Sequence, residues 1–256
     1  MKEILHTFAN VSRDDLLGVR APFLKSGGNN MLSMIYDYGL DYDSSLAVPP
    51  AETPLWPYTL DYRMPHKCLA ANCPTRSFPG IWEFPLNTFQ TDDGTGGSCV
   101  LLDQCVFPDD GEVVFDFLLQ NFEKHYMNNK APFLLNLHVN WVTDTEKISA
   151  LDVFIDHVLE NFPGTWFVTF QQALQWMRNP VPTTIATSFE SWKCPRNRQP
   201  GCNIPRTCAV RFDGSRSELR YMQVCGKCPI KYPWLDNIRG TKEGKRVKDL
   251  VQKATH

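Results

Sequence analysis

The region from residue 113 to residue 178 constrains the fold more than any other part of this 256-residue sequence. Three segments with apolar residues at helical spacing alternate there with two nearly continuous apolar runs. The helical segments cover residues 113–127, 148–159 and 171–178, and the apolar runs cover residues 132–139 and 165–169. Strands that are apolar on both faces are typical of a parallel sheet covered by helices. The pattern therefore predicts an α/β fold.

Shorter elements are predicted upstream of this region. They are a helix over residues 2–9, a strand over residues 19–23, a helix from Asn30 to Gly39, a long loop over residues 49–85 and an apolar strand over residues 81–84 that ends this loop. The loop holds eight prolines. A loop of this length in a compact domain is more often functional than idle.

Composition and charge exclude several classes of protein. Apolar residues make up 43% of the chain and charged residues 21%, which is typical of a globular protein. The net charge of −2 argues against a nucleic-acid binder, and no apolar run reaches the roughly 18 residues of a membrane span. The charge is uneven, with −11 over residues 1–180 and +9 over residues 181–256. Two solvated faces that attract each other explain this split; a tail that contacts an anionic surface is the alternative.

The nine cysteines predict disulfide bonds. Two pairs are local and lie in loops, Cys68 with Cys73 and Cys99 with Cys105, and the other five cysteines follow residue 181. Closely spaced pairs are typical of disulfide-closed loops formed in an oxidising compartment. We predict both local disulfides, and we expect four of the five C-terminal cysteines to pair with one another.

One cysteine of the nine is left without a partner. The first ten residues hold no apolar run followed by a small-residue cleavage site, so the sequence predicts no signal peptide. Disulfide usage without a secretion signal leads us to expect a missing upstream segment; a free thiol or an intermolecular bridge is the alternative. Cys225 and Cys228 have the spacing of half a zinc site, but no second pair shares it, so disulfides are favoured.

Three residues are candidates for chemistry on their own evidence. His138 lies near the end of an apolar run, where α/β barrels place their active sites, and imidazole acts as acid or base near neutral pH. Arg20, on a short strand, needs a carboxylate or an anionic ligand. Trp82 offers a flat face to a sugar ring. A buried core histidine, a structural ion pair and a core tryptophan are the respective alternatives.

Several short motifs, in order along nearly the whole chain, resemble those of the insect chitin deacetylases, members of the polysaccharide deacetylase (NodB-homology) family, carbohydrate esterase family four. The motifs lie at residues 18–24, 42–45, 56–62, 73–77, 80–85, 137–141, 172–176 and 225–234. Each motif alone is weakly specific, whereas their order together is highly specific. The resemblance implies an incomplete, distorted (β/α) barrel over residues 1–180, followed by a Cys-rich, irregular and basic extension over residues 181–256.

Two motifs of this family are absent from the sequence. The family's Thr-Phe-Asp-Asp motif supplies the general base and one metal ligand, and its His-x3-His motif supplies two further ligands. No Asp-Asp pair here follows Thr-Phe, and no two histidines are four positions apart. The resemblance therefore implies zinc in the intact family but no metal site and no cofactor in this chain. We also expect the unpaired cysteine to face the place where an upstream segment would pack.

The resemblance assigns catalytic roles to two residues. His138 matches the histidine that acts as general acid and protonates the leaving amine. Arg20 matches the arginine that pairs with the base carboxylate and adjusts its pKa.

It assigns substrate-binding roles to five more. The backbone N–H of Phe23 matches a donor to the oxyanion, and Trp82 matches an aromatic residue that walls the sugar site. Glu83 takes the place of an aspartate that the family usually has. Leu135 or Leu137 would line the pocket for the acetyl methyl group. We expect Arg20, Trp82 and His138 to converge on one concavity.

The sequence thus predicts a chitin deacetylase homologue, a family that hydrolyses the N-acetyl groups of chitin. We expect the 256 residues alone to be inactive, because the metal and base motifs are missing. A non-catalytic protein that binds chitin is the alternative. The expected partner is chitin or a chitooligosaccharide, without nucleic acid or membrane, and the expected form is a secreted monomer. The sequence upstream of Met1 would separate an incomplete chain from a genuine short form.

Overall fold

A computed structural model describes residues 1–62, 64, 66–69, 72–91, 97–106, 110–193, 201–202, 204–214 and 216–242. The helices are α1 (Lys2–Ala9), α2 (Asn29–Asp37), α3 (Gly111–Tyr126), α4 (Thr145–Asn161) and α5 (Phe170–Arg178). The strands are β1 (Gly18–Val19), β2 (Tyr42–Asp43), β3 (Ala47–Val48), β4 (Tyr58–Thr59), β5 (Trp82–Glu83), β6 (Leu86–Asn87), β7 (Phe89–Gln90), β8 (Ser98–Cys99), β9 (Arg206–Asp213) and β10 (Ser217–Val224). The protein is therefore a mixed α/β chain.

These elements fall into two units. Residues 17–193 form the larger unit, and residues 1–16 form the smaller unit together with the described residues after 193. The predicted division into residues 1–180 and 181–256 stays a prediction. Within the described residues, none of the helices combines the length and apolar character needed to cross a membrane.

The largest sheet of the larger unit has the strand order β1-β2-β5-β4. β1 is parallel to β2, and β2 is parallel to β5, whereas β4 pairs antiparallel to β5. Gly18, Tyr42 and Trp82 are aligned across the three parallel strands, and Val19, Asp43 and Glu83 form the next row. Because side chains alternate along a strand, these two rows lie on opposite faces of the sheet.

The predicted barrel is not confirmed. Besides the four-stranded sheet, the described strands form three separate pairs, β3 with β6, β7 with β8 and β9 with β10.

The two long apolar runs are extended, but the prediction that they are strands is wrong. Within the described chain, residues 131–138 and 165–169 belong to no β-ladder. The first run makes one backbone bond to a neighbouring segment, in which the Leu102 amide donates to the Asn136 carbonyl at 2.9 Å. An apolar run favours extended backbone, but a strand also requires a neighbour that supplies hydrogen bonds along its length.

The helices α3 and α4 form the main apolar core, as their spacing predicted. Val114 and Leu118 of α3 pack in one cluster with Phe154 and Val158 of α4, all nearly inaccessible to solvent. Both helices begin with an aspartate cap: Asp110 accepts from the Glu112 amide at 2.9 Å, and Asp144 accepts from the Glu146 amide at 3.1 Å.

Four disulfides are present among the described residues. Cys68–Cys73 and Cys99–Cys105 are confirmed, with Cα separations of 5.5 and 5.3 Å. The expected pairing of four C-terminal cysteines is also confirmed, as Cys202–Cys225 and Cys208–Cys228. The ninth cysteine, Cys194, lies outside the described residues. Such usage fits an oxidising, extracellular compartment.

The smaller unit corrects the expectation of an irregular extension. β9 and β10 form an antiparallel hairpin of eight residues on each side. Phe8 of α1 packs with Cys208, Val210 and Val224, and its carbonyl accepts from the Cys225 amide at 2.7 Å. The residues at 208, 210 and 212 alternate with exposed ones along β9, a period-two signal that the basic, Cys-rich composition had obscured.

Candidate functional site

Arg20 is held against the end of β2. It follows β1, and its Nε donates to the Ser44 carbonyl at 2.7 Å while Nη2 donates to Ser44 Oγ at 2.8 Å. The guanidinium also lies 5.6 Å from the centre of the Phe170 ring. Desolvation lowers the pKa of Arg20, and the nearby carboxyls of Asp43 and Glu83 act in the opposite direction. The hydrogen bonds of Arg20 therefore anchor it to a serine rather than to a carboxylate.

Phe23 presents an exposed side chain on a constrained turn. Pro22–Leu24 form a single 3-10 turn in which Phe23 and Leu24 both have φ near +55°. For residues other than glycine, left-handed backbone costs about 1–2 kcal/mol each. The Phe23 side chain is 91% exposed, whereas Leu24 is buried. As the second residue of the turn, Phe23 has no turn carbonyl to receive its amide hydrogen, so this N–H is suited to bind an anion.

Trp82 lies on the same sheet face as Tyr42 and Gly18. Tyr42 stacks on Phe170 with 5.9 Å between ring centres, and Phe170 is the residue over which Arg20 lies. Trp82 is half-buried. The structure thus brings Arg20, Tyr42 and Trp82 to one face, where an aromatic surface adjoins a cation.

Gly18 is required for this packing. A Cβ at Gly18 would lie 2.0 Å from the Tyr42 ring, so the ring occupies the space that a side chain would take. The close approach of strand and ring explains the glycine at the start of this motif.

Glu83 is buried, and its assignment to the substrate stays a prediction. Glu83 and Asp43 are cross-strand neighbours, and both residues are 0% exposed. Asp43 Oδ1 accepts from Ser45 Oγ at 2.6 Å, and Glu83 Oε1 accepts from the Leu46 amide at 3.1 Å. Burial raises the pKa of Asp43 to about 6 and raises that of Glu83 well above its usual value. Because side chains alternate along β5, Glu83 belongs to the row that faces away from Trp82.

His138 is oriented by Asp103 at two points. Asp103 Oδ1 accepts from the His138 amide and Asp103 Oδ2 pairs with His138 Nδ1, both at 2.7 Å. The His138 side chain is 72% exposed, so the core-histidine alternative does not apply. A proton on Nδ1 that bonds to the carboxylate leaves Nε2 directed away from Asp103.

Sequence reasoning did not identify Asp103. This residue belongs to the 3-10 turn Leu102–Gln104, inside the loop that Cys99 and Cys105 close. It is 35 positions from His138, and no spacing rule connects the two. Its position within a disulfide-closed loop was the one available signal.

The leucines predicted to line the methyl pocket pack elsewhere. Leu135 and Leu137 are partly buried against the cluster of α3 and α4. Leu134 packs instead with Leu24 and Leu86, next to the turn that carries Phe23. The structure therefore places Leu134 beside this turn, and the lining role of Leu135 and Leu137 stays a prediction. The convergence of His138 with Arg20 and Trp82 likewise stays a prediction.

The described side chains do not fit a zinc ion. No three of their His, Cys, Asp or Glu side chains come together as a possible metal site. His138 Nδ1 is engaged by Asp103, and the buried pair Asp43 and Glu83 lacks a third ligand. A catalytic zinc site typically needs three protein ligands and one open position. We therefore derive no step through a metal from these residues.

Two known proteins are similar to this chain over most of its length. The chain is 35% identical over 250 residues to chitin deacetylase 1 of Bombyx mori, covering 94% of this chain and 46% of that protein. It is 33% identical over 244 residues to chitin deacetylase 8 of Bombyx mori, covering 91% of this chain and 61% of that protein. No family model matches the sequence.

The fold and the site together define a class of protein, namely α/β proteins in which a carboxylate orients an exposed histidine. More particularly, the chain belongs to the chitin deacetylase family. It spans about half the length of the first of these relatives and about three fifths of the second.

Proposed function

We propose that this chain carries the acid side of a chitin deacetylase active site. In this proposal, chitin or a chitooligosaccharide is the ligand, and His138 protonates the amine that leaves when an N-acetyl group is hydrolysed. The observation that carries the proposal is the two-point contact between Asp103 and His138, at 2.7 Å on both sides. The kinship with two chitin deacetylases supports the substrate class.

The geometry suits proton donation to a poor leaving group. When the C–N bond of a tetrahedral intermediate breaks, the nitrogen takes the bonding electrons and needs a proton. His138 Nε2–H supplies that proton, while Asp103 holds the ring through Nδ1. A carboxylate that accepts a hydrogen bond from Nδ1 leaves Nε2 as the nitrogen that donates the proton, so Asp103 acts as a positioning residue.

The face around Arg20 supplies the remaining roles. The Phe23 amide donates to the oxyanion as charge develops on it. Trp82 contacts the sugar ring, and its half-buried position keeps the indole fixed while one side stays accessible. Arg20 acts as a fixed positive charge beside this surface.

The half of the reaction that activates water is not supplied by this sequence. It contains neither a Thr-Phe-Asp-Asp motif nor two histidines four positions apart. By resemblance, those motifs hold zinc and the base in the intact family. We therefore propose that the 256 residues alone bind the acetylated polymer without releasing acetate, and that they do so in an extracellular setting to which the four disulfides are suited.

Calorimetry tests whether the chain binds chitin oligomers. The chain should bind the oligomer, and Trp82→Ala should weaken binding by about tenfold, equivalent to about 1.4 kcal/mol. Tyr221→Ala, at an exposed aromatic residue of β10, is the matched control and should leave binding unchanged. Chelator should have no effect. Absence of oligomer binding would overturn the substrate class.

An acetate assay on the same samples tests whether the chain lacks the half of the reaction that activates water. We expect no release above background with or without added zinc. Zinc-dependent release that His138→Ala abolishes would overturn the proposed inactivity and at the same time support the role of His138.

A further inference from the structure

The carboxyls of Asp43 and Glu83 form a buried pair that the proposed reaction does not use. They lie opposite each other on the parallel strands β2 and β5, and neither residue has any solvent-exposed surface. Two ionised carboxylates in such a place would repel each other strongly, because water is not available to screen them. The first question is therefore how many protons the pair holds.

The hydrogen bonds around the pair leave room for one proton. One oxygen of each carboxyl is satisfied, Asp43 Oδ1 by Ser45 Oγ and Glu83 Oε1 by the Leu46 amide. The other two oxygens, Asp43 Oδ2 and Glu83 Oε2, are buried and have no donor within the described residues. An unsatisfied buried acceptor destabilises the folded state. A single proton placed on either oxygen turns two unsatisfied acceptors into one donor and one acceptor.

The neighbouring groups do not neutralise a second negative charge. Arg20, which follows β1, lies close enough to interact electrostatically with both carboxyls, but its hydrogen bonds go to Ser44. Tyr58 faces Glu83 from β4, and its hydroxyl pairs with His66 Nε2 at 2.6 Å. Tyr42 precedes Asp43 on β2, and its ring lies on the other face of the sheet. Burial is the largest cause of the raised pKa at Asp43 and at Glu83 alike.

We propose that Asp43 and Glu83 share a single proton in an O–H···O bond between β2 and β5, and that this bond fixes the Ser44–Ser45 segment against β1. The segment follows Asp43 directly. Ser44 receives both hydrogen bonds of Arg20, and Ser45 Oγ accepts from the Ala21 amide at 2.8 Å. The shared proton thus positions Arg20 indirectly, through the two serines.

Loss of this proton should loosen the site as pH rises. The folded chain keeps the proton at a pH where the unfolded chain, with ordinary carboxyls near pKa 4, has lost it. The contribution to stability is therefore complete below about pH 4 and declines as pH rises towards the pKa of the shared proton, which burial raises well above that of an ordinary carboxyl. We expect the folding equilibrium constant to fall by at least roughly tenfold between pH 5 and pH 8, beyond the change shown by a variant without the pair.

Urea unfolding of the whole chain from pH 5 to pH 8 tests the proposal. Glu83→Gln replaces the protonated acid with an amide that can donate to Asp43, so this variant should lose the decline and match or exceed the wild-type stability at pH 8. Asp43→Asn should do the same. Asp156→Asn, at an exposed carboxyl of α4, is the control and should retain the wild-type decline. A Glu83→Gln variant that is weaker than wild type by the same factor at every pH would overturn the proposal.

A spectroscopic measurement decides the matter if the variants fold poorly. At pH 7 the infrared spectrum of the wild-type chain should show the carbonyl band of one protonated carboxylic acid, because exposed carboxyls are ionised there. Absence of that band would overturn the shared proton.

Hydrogen exchange gives the local readout: protection of the Ala21 and Leu46 amides should fall above pH 7 relative to Leu118. Equal protection at all three sites would overturn the link to Arg20. These measurements do not depend on the proposed function, since none of them uses catalysis or sugar binding.

Discussion

The sheet β1-β2-β5 and the extended runs at residues 131–138 and 165–169 are built from similar apolar sequence but differ in what surrounds them. In the sheet, each strand has a hydrogen-bonded neighbour, and Phe84 beside β5 is 0% exposed. In the second run, three successive apolar residues are partly open to solvent, Trp166, Phe167 and Val168 at 39%, 47% and 37%. Apolar character is therefore not enough to decide how much a segment stabilises the chain.

The sheet also buries two carboxyls, whereas the buried polar side chain of the first run is the uncharged Asn136. Asp43 and Glu83 are completely buried because neighbouring amides, hydroxyls and, as proposed, one proton satisfy them. His138, at the end of the first run, is exposed and depends on one partner outside the run. The comparison suggests that the sheet provides rigidity, whereas the runs present side chains to their surroundings.

Replacing a phenylalanine by alanine, once beside the sheet and once in the second run, should show the largest difference in the free energy of unfolding. Phe84→Ala removes a fully buried ring that packs against Tyr42 and Phe170, and should cost about 3–5 kcal/mol in the free energy of unfolding. Phe167→Ala, in the exposed run, should cost less than about 1 kcal/mol. Urea unfolding measures both. Equal losses would mean that the second run is as well packed as the sheet.

A smaller loss of stability is expected at Gly18, where β1 comes closest to the Tyr42 ring. Gly18→Ala forces the Tyr42 ring away from its position over β1, and overpacking of this kind costs about 1–3 kcal/mol. Gly226→Ala, at a site with no atom within 4 Å of the added Cβ, is the control and should be nearly neutral. Thermal unfolding of the two variants gives the comparison. If Gly18→Ala also proved neutral, the aromatic face would be less tightly packed than described.

The smallest effect on stability, with a clear local signature, is expected at Asp103. Asp103→Asn keeps the size of the side chain and should change the free energy of unfolding by less than about 1 kcal/mol, since the pair is largely exposed. The His138 ring should nevertheless lose its preference for a proton on Nδ1, because an amide can present either a donor or an acceptor. Nitrogen NMR of the histidine side chains reports the tautomer. An unchanged tautomer would show that Asp103 does not orient the ring.

The sequence predicted what depends on local spacing. The helices α3 and α4 follow from apolar periodicity and from an aspartate cap at the start of each. The two local disulfides follow from cysteines five and six positions apart. In these cases the partners lie close along the chain, so that a pattern in the sequence is also a pattern in space.

The sequence did not predict what depends on partners far apart along the chain. Asp103 orients His138 across 35 positions, and Glu83 meets Asp43 across 40, without any periodic signal. The burial of Glu83 beside Asp43 was therefore not predicted, and its assignment to the substrate stays a prediction. The apolar runs were assigned as strands because periodicity describes a segment and not its neighbours. The family resemblance supplied His138, but not the residue that orients it.

The loop closed by Cys99 and Cys105 links the compartment in which the chain folds to the orientation of His138. Asp103 lies inside this ring of covalent bonds, and it is the residue that orients His138. In a reducing environment the ring is open, and the carboxylate loses the constraint that aims both of its oxygens at one histidine. The disulfide is also part of the main core, because Cys99 and Cys105 belong to the same apolar cluster as helices α3 and α4. Closure of the loop by oxidation therefore couples the orientation of His138 to the packing of that core.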